Sequence, residues 1–198
     1  MLALDTAALT RAAGWSTVIA IVALIVSGIT IALFFGGAGA FWGPINDLAT
    51  AVTLIALILP VLAIDRLAAP GAGIWLRVVT VAALAGLVLG AVGQVLLVLG
   101  VIDLQTSFVT GGVGITPFFA WLVALAIVAF GSADGAPLPG SIGWLAVAVI
   151  GLSILIVVVG MVATDGPILW ITGGVLLVAL LAWLATLAST LLSRAATA

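Results

Sequence analysis

The sequence predicts an all-α polytopic membrane protein whose six transmembrane helices form a single bundle. Of its 198 residues, 66% are hydrophobic and only 5% are charged, and the mean hydropathy is +1.60. Soluble domains carry about 25% charged residues, so a soluble core does not account for this composition. Six spans leave little chain over, and we therefore expect one helical-bundle domain over residues 1–198.

Six apolar runs are long enough to cross about 30 Å of hydrocarbon at a rise of about 1.5 Å per residue. The runs are continuous, whereas the strands of a membrane barrel alternate apolar and polar residues, so the runs predict helices. Because the connections are short, consecutive helices should be antiparallel neighbours. The runs lie near residues 14–35, 44–64, 74–101, 109–130, 142–163 and 167–192.

Local signals support each run in turn. The first exceeds the apolar core of about 7 to 15 residues found in signal peptides, so we expect it to remain as a helix. Pro44 opens the second run and Pro167 the sixth, and proline is favoured at the first position of helices. Trp75 and Trp144 mark the starts of the third and fifth runs, and the fourth begins with the glycine-containing segment 110–113.

The basic residues of the chain are all arginines, and the predicted topology places them on one side of the membrane. Arg11 precedes the first helix and Arg194 follows the sixth, while Arg66 and Arg77 flank the connection between the second and third. Cytoplasmic loops of membrane proteins carry an excess of Lys and Arg. We therefore predict a multi-pass protein of a cytoplasmic membrane with both termini in the cytoplasm.

An internal repeat is indicated by a gap-free shift of 62 positions. The shift aligns residues 110–113 with 172–175, both Thr-Gly-Gly-Val, and residues 120–122 with 182–184, both Ala-Trp-Leu. It also aligns Asp103 with Asp165, which we place in solvated connections. The fourth and sixth helices are then copies, and three helical hairpins follow one another in the chain. Self-alignment of a sequence rich in Gly, Ala, Val and Leu is the alternative explanation.

The residue types that the chain lacks exclude most kinds of catalysis and metal binding. The chain has no His, Cys, Lys, Glu or Tyr, which removes most groups used in acid–base catalysis, thiol chemistry and transition-metal binding. We predict no enzyme activity, no catalytic residue, no metal site and no cofactor. A net charge of −2 and the lack of a basic patch argue against nucleic acid as a partner.

Polar residues within the apolar runs are the candidates for function, because unsatisfied polar groups are costly in hydrocarbon. Asn46, Thr50 and Thr53 share one face of the second helix, with Asp47 alongside, and Gln94 lies in the third helix. This polar track is either a site for a small solute, water or a cation, or a set of helix caps and interhelical hydrogen bonds.

Small residues predict where helices touch. Ala82, Gly86 and Gly90 recur every four positions in the third helix, a spacing that lets another backbone approach closely. That contact lies within the chain or joins two copies of it. Pro60 should kink the second helix, as a packing feature or as a gating hinge.

Two pairs of polar residues have local explanations. Ser27 and Thr30 are expected to bond to the backbone of their own helix, as serine and threonine often do. Asp65 and Arg66, at the end of the second helix, should form an exposed pair.

Three short motifs resemble a known group of proteins. They are Gly43-Pro44-Ile45-Asn46-Asp47 at the second helix, Leu138-Pro139 followed by Gly143-Trp144-Leu145 at the fifth, and the Gly-Gly-rich start of the sixth. In this order of features the chain resembles an uncharacterised group of six-helix bacterial integral membrane proteins. The resemblance implies a bacterial inner-membrane location and the six-helix layout, and it carries over no functional residue.

These observations favour a non-enzymatic structural or accessory membrane component that acts through helix–helix contacts with itself or with another membrane protein. A small channel or transporter built on the polar track is the first alternative. A lipid- or pigment-binding protein, with its ligand beside Trp121 or Trp183, is the second. Membrane lipids are partners in all three cases.

Overall fold

Six helices make up the described part of the protein. A computed structural model describes residues 5–131, 138–162 and 167–197. The helices are α1 (Thr6–Phe35), α2 (Trp42–Ala68), α3 (Gly71–Val98), α4 (Leu104–Phe130), α5 (Gly140–Val162) and α6 (Pro167–Thr197). Each is long and apolar enough to cross a membrane, so the prediction of an all-α protein with six spans is confirmed.

Helices α1 and α6 are longer than the apolar runs that predicted them. Helix α1 begins at Thr6, where the Asp5 carboxylate accepts a hydrogen bond from the backbone N–H of Ala7 at 3.2 Å. Helix α6 continues to Thr197. The added residues include serine, threonine and arginine, which a helix accepts but which lower the local hydropathy. An apolar run therefore marks the membrane-crossing part of a helix and not its ends.

The helices form a closed ring in chain order. Each packs against its neighbours in the chain, and α6 returns to pack against α1. In the described segments, one further contact joins α1 to the stretch Ile58–Val98, which comprises the second half of α2 and all of α3. No other pair of the six helices has adjacent backbones in these segments. We call the end of the ring that carries Arg11, Arg66, Arg77 and Arg194 the arginine end.

Large side chains fill the centre of this ring. Trp121 of α4 and Trp183 of α6 are 0% and 1% exposed. Phe118 lies against both indole rings, with centroid distances of 5.6 Å to Trp121 and 6.2 Å to Trp183. Because the backbones of α4 and α6 are not adjacent, these rings meet on the inner side of the ring. Buried apolar side chains from all six helices join them in one cluster, so the interior formed by the described segments is a packed core.

A hydrogen bond from α1 compensates for a break in α2. Regular helix stops at Ala56 and resumes at Ile58, with Leu57 in a turn, and Pro60 follows. Pro60 has no N–H to donate to the carbonyl of Ala56 four residues earlier. The hydroxyl of Ser16 on α1 donates to that carbonyl at 2.7 Å instead. A side chain from the neighbouring helix thus satisfies the acceptor that the proline leaves free.

Removing this hydroxyl should destabilise the protein. We expect Ser16→Ala to lower the free energy of unfolding by about 1 to 2 kcal/mol, the upper range for interhelical hydrogen bonds in membranes. In a Pro60→Ala background the restored N–H can serve the Ala56 carbonyl, so the same substitution should cost less. Equilibrium unfolding of the four proteins in micelles measures the difference. Equal costs in both backgrounds would show that the hydroxyl does not compensate for the proline.

Tight turns join α2 to α3 and α3 to α4, at opposite ends of the bundle. At the start of α3 the chain reverses at Gly73, whose φ of 70° and ψ of −169° are accessible to glycine alone. Between α3 and α4, Asp103 is exposed and caps α4, because its carboxylate accepts the backbone N–H of Thr106 at 2.7 Å. Asp165 lies outside the described residues, and its predicted solvation stays a prediction.

The Asp103 cap of α4 should make the stability of the protein depend on pH. The hydrogen bond from the Thr106 backbone N–H lowers the pKa of the Asp103 carboxyl. A pKa lower in the folded than in the unfolded state means that the cap stabilises the protein above the unfolded-state pKa and stops doing so as the pH falls through the folded-state pKa. Carbon-detected NMR titration should find the Asp103 pKa below the usual aspartate range, and Asp103→Asn should remove that pH dependence while keeping an oxygen acceptor.

Candidate functional site

Four polar side chains meet between α1 and α2 in the half of the bundle far from the arginine end. The Ser27 hydroxyl donates to Asn46 Oδ1 at 2.7 Å and lies 3.1 Å from the hydroxyl of Thr50. Asn46 Nδ2 donates in turn to Asp47 Oδ1 at 3.4 Å. All four residues are partly buried. We call this group the Ser27 cluster, and it ties the first turns of α2 to α1.

Ser27 does not behave as the sequence suggested. The prediction that it bonds to its own helix is wrong, because its hydroxyl serves α2. Thr30 does bond to its own backbone, donating to the carbonyl of Val26 at 2.8 Å, as predicted. The difference follows from what faces each residue. Ser27 meets an amide oxygen and a hydroxyl on the adjacent helix, and a sequence pattern for one helix cannot reveal its neighbour.

The other two members of the predicted polar track lie elsewhere. Thr53 is buried and donates to the carbonyl of Ala49 in its own helix at 2.9 Å. Gln94 faces α4, where its Nε2 lies 3.9 Å from the position that a Cβ on Gly111 would take. In the described part of the chain, no hydrogen bond joins Gln94 to α2. The structure therefore brings together Asn46, Asp47 and Thr50, and adds Ser27.

Two cavities formed by described residues lie away from the Ser27 cluster. One, of about 460 Å³, is an apolar groove between α1 and α6, with Gly28 of α1 and Leu177 of α6 among its lining residues. The other, of about 360 Å³, lies at the arginine end between α1, α2 and α6. Neither is lined by Asn46, Asp47 or Thr50.

The prediction that Asp65 and Arg66 form an exposed ion pair is wrong. Arg66 is exposed, whereas Asp65 is partly buried and its Oδ1 atom is buried without a hydrogen-bond partner among the described residues. Successive residues of a helix point about 100° apart, so neighbours in sequence do not face each other. One side chain therefore turns outward while the other turns into the ring.

Three further polar atoms are buried without a partner in the described helices. They are the hydroxyl of Thr80 and the indole nitrogens of Trp121 and Trp183. Most buried polar groups in native proteins are hydrogen-bonded, and leaving one unsatisfied costs about 1 to 3 kcal/mol. Sequence reasoning missed Thr80. The available signal was a hydroxyl in an otherwise apolar run, with no capping position to explain it.

Helices α3 and α4 approach each other closely through glycines. A Cβ on Gly86 would overlap the carbonyl oxygen of Gly114, and a Cβ on Gly114 would lie 2.9 Å from the backbone nitrogen of Gly90. Two of the three residues in the predicted small-residue stripe thus lie at a backbone contact within the chain. The third, Ala82, is exposed, and the adjacent Ala83 is buried in its place.

The comparisons with known proteins find no relative of this chain. No protein-family model, curated protein or solved structure matches it. The resemblance to six-helix bacterial membrane proteins therefore stays a prediction, and what is established is a multi-pass membrane protein of six helices.

Proposed function

We propose that the protein is a non-enzymatic structural or accessory component of its membrane, acting through contacts between its outer helix faces and another membrane protein or a second copy. The observation that carries this proposal is the filled centre of the ring. Trp121, Trp183 and Phe118 belong to one buried apolar cluster with members from all six helices, which supports a filled interior in place of a pore or a substrate chamber. A protein with a closed interior presents its outer surface for interaction.

The outer face of α4 supports the proposal. Gly112, Thr116 and Ala120 are exposed at a spacing of four residues, and nothing lies within 4 Å of a Cβ built on Gly112. On α6, Gly174 and Ala182 are exposed at the positions that the predicted repeat makes equivalent. Small residues on a lipid-facing surface permit close approach of another helix.

Single cysteines test this face cleanly, because the chain contains no cysteine of its own. We expect Thr116→Cys to give oxidative or bifunctional cross-links in native membranes, to a second copy or to one reproducible partner. Ile19→Cys, on the exposed side of α1, is the matched control and should give none. Ala120→Phe should abolish the cross-link by blocking close approach. A strictly monomeric protein with no cross-link at either position would overturn the proposal.

The Ser27 cluster favours a second candidate, a small channel or transporter. Asp47 and Asn46 place a carboxylate and an amide within the membrane-crossing part of α2, and such groups are functional candidates by default. Reconstituted protein assayed for ion and small-solute flux tests this candidate. Wild-type flux that persists unchanged in Asp47→Ala and in Gln94→Leu would exclude the predicted track as its route.

The orientation and location are also proposals. The arginine end, which carries both described chain ends, faces the cytoplasm by the positive-inside rule, and the host membrane is a bacterial inner membrane. Cysteine accessibility measured in intact cells distinguishes the two orientations. Labelling of Thr197→Cys by a membrane-impermeant reagent added outside would reverse the assignment.

A further inference from the structure

The packed core is confined to the half of the bundle near the arginine end. Within the helices, every residue of the buried apolar cluster except Leu87 lies between the midpoint of its helix and that end. We call the remaining halves of the six helices the far half, which comprises residues 21–35, 42–55, 85–98, 104–117, 151–162 and 167–182. Apart from Leu87, the buried residues of the far half are all glycine, alanine, serine or threonine.

Burial falls within one helical turn at the border between the two halves. On four helices a core residue is at most 3% exposed, whereas the residue three or four positions farther into the far half is partly exposed. Residues at this spacing lie on the same face of a helix. The pairs, with the core residue first, are Ala20 and Leu24, Phe118 and Ile115, Val149 and Ser153, and Trp183 and Ala179. The inner faces of these helices therefore lose their cover in the far half.

The ring arrangement leaves space between these inner faces. Six touching cylinders of equal width enclose a space as wide as a seventh, and the axes of packed helices lie about 8 to 10 Å apart. In the described segments, helices on opposite sides of the ring have no adjacent backbones. Near the arginine end, large buried side chains from all six helices fill the interior. In the far half the buried side chains are too small to do the same.

The side chains that border this space are apolar or already hydrogen-bonded. Leu24, Ile115 and Ala179 carry no polar side-chain atom, and all three pack against the core cluster. The hydroxyl of Ser153 donates to the carbonyl of Val149 in its own helix at 2.7 Å, so its one donor is used. Apolar cavities in proteins stay dry and take up hydrocarbon guests. The lining therefore favours hydrocarbon over water.

Helix α5 is covered least in the far half. None of its residues 151–162 is buried, and no atom lies within 4 Å of a Cβ built on Gly151. Its close contact with α4 lies near the arginine end, where a Cβ on Gly143 would be 2.9 Å from the ring of Phe130. In the far half, Ile156 lies 3.6 Å from a Cβ built on Gly173 of α6. The cover that α4 gives to α5 thus weakens away from the arginine end.

We propose that the far half of the ring holds one hydrocarbon chain of a membrane lipid, which enters between α4 and α5 and ends against Phe118 and Trp183. The surrounding bilayer supplies such chains at this depth, because both helices cross its hydrocarbon layer. The core cluster beneath the chain closes the way to the arginine end, so the site is a pocket and not a pore. This lipid site goes beyond the proposed function, which concerns the outer helix faces.

Quenching of tryptophan fluorescence by brominated lipid tests the proposal. The test protein keeps Trp121 and Trp183 and carries phenylalanine in place of the other five tryptophans, which are Trp15, Trp42, Trp75, Trp144 and Trp170. Its emission should be lower in vesicles of phosphatidylcholine brominated near the methyl end of one acyl chain than in unbrominated vesicles. Ala179→Phe fills the space one turn from Trp183 and should abolish this loss. Val178→Phe, at a position that is 65% exposed on the outside, is the matched control and should retain it.

Three outcomes would overturn the proposal. Equal emission in the two kinds of vesicle would mean that no acyl chain reaches the core. A loss that persists in Ala179→Phe and in Ile115→Phe, which fills the same space from α4, would mean that bromine quenches from outside the ring. Quenching by iodide in the water, with none by bromine, would assign the space to water. Ile115→Phe also serves alone if Ala179→Phe does not fold. Because oligomeric state enters none of these readouts, failure here leaves the cross-linking test of the proposed function intact.

Discussion

Gly114→Ala should destabilise the protein by about 3 kcal/mol, the upper end of the range for overpacked cores. The new Cβ would lie 2.7 Å from the carbonyl oxygen of Gly86 and 2.9 Å from the nitrogen of Gly90. Both are backbone atoms, which cannot rotate away as a side chain could. Helices α3 and α4 must therefore move apart. Equilibrium unfolding in micelles, followed by circular dichroism, measures the loss.

Gly112→Ala is the matched control for this prediction. Gly112 is on the same helix two residues earlier, it is exposed, and no atom lies within 4 Å of the position that its new methyl group would take. Alanine is favoured over glycine in a helix interior by about 1 kcal/mol. This variant should be as stable as the wild type or slightly more stable. Similar losses at both positions would show that the glycines matter for reasons other than close packing.

Trp121→Ala should lower the free energy of unfolding by about 3 to 5 kcal/mol, the usual cost of removing a large aromatic side chain from a core. Trp121 is fully buried and stacks on Phe118 at the centre of the ring. The helices around this side chain already pack against their neighbours, so the space left by the indole cannot close by a small local shift. Thermal unfolding and denaturant titration should agree on the loss.

Trp15→Ala provides the comparison on the outside of the bundle. Trp15 is 59% exposed, and its removal should change stability by less than about 1 kcal/mol. The contrast separates burial from residue type, since both substitutions delete the same side chain. A small effect at Trp121 would mean that the ring is not filled as described, and it would favour a pore or a ligand chamber at its centre.

The sequence predicted the fold because the membrane constrains it so strongly. Backbone polar groups must be satisfied within each span, so continuous apolar runs leave the helix as the only choice. Six runs and short connections then indicated the number and order of the helices. The break in α2 near Pro60 also followed from local chemistry, since proline removes a donor wherever it stands in a helix.

Pairings between helices were beyond the sequence. The small-residue spacing indicated Gly86 and Gly90, but nothing identified Gly114 on α4 as the backbone they meet. The direction of Ser27 and the inward turn of Asp65 depend in the same way on neighbours distant in the chain. A spacing defines a face of one helix. Which other helix covers that face is decided by the whole bundle, and the closure of α6 on α1 has no local signal.

The order of helices around the ring has a consequence for biogenesis. Because each helix meets the one made just before it, a chain emerging from a translocon can assemble by adding one neighbour at a time. One flank of α1 stays uncovered until α6, the last helix, is inserted. Since Asp5 and Thr197 line the same cavity, the start of α1 and the end of α6 lie close together. A permuted chain that links the end of α6 to the start of α1 and opens at another connection should therefore form the same ring, with a different pair of helices closing it.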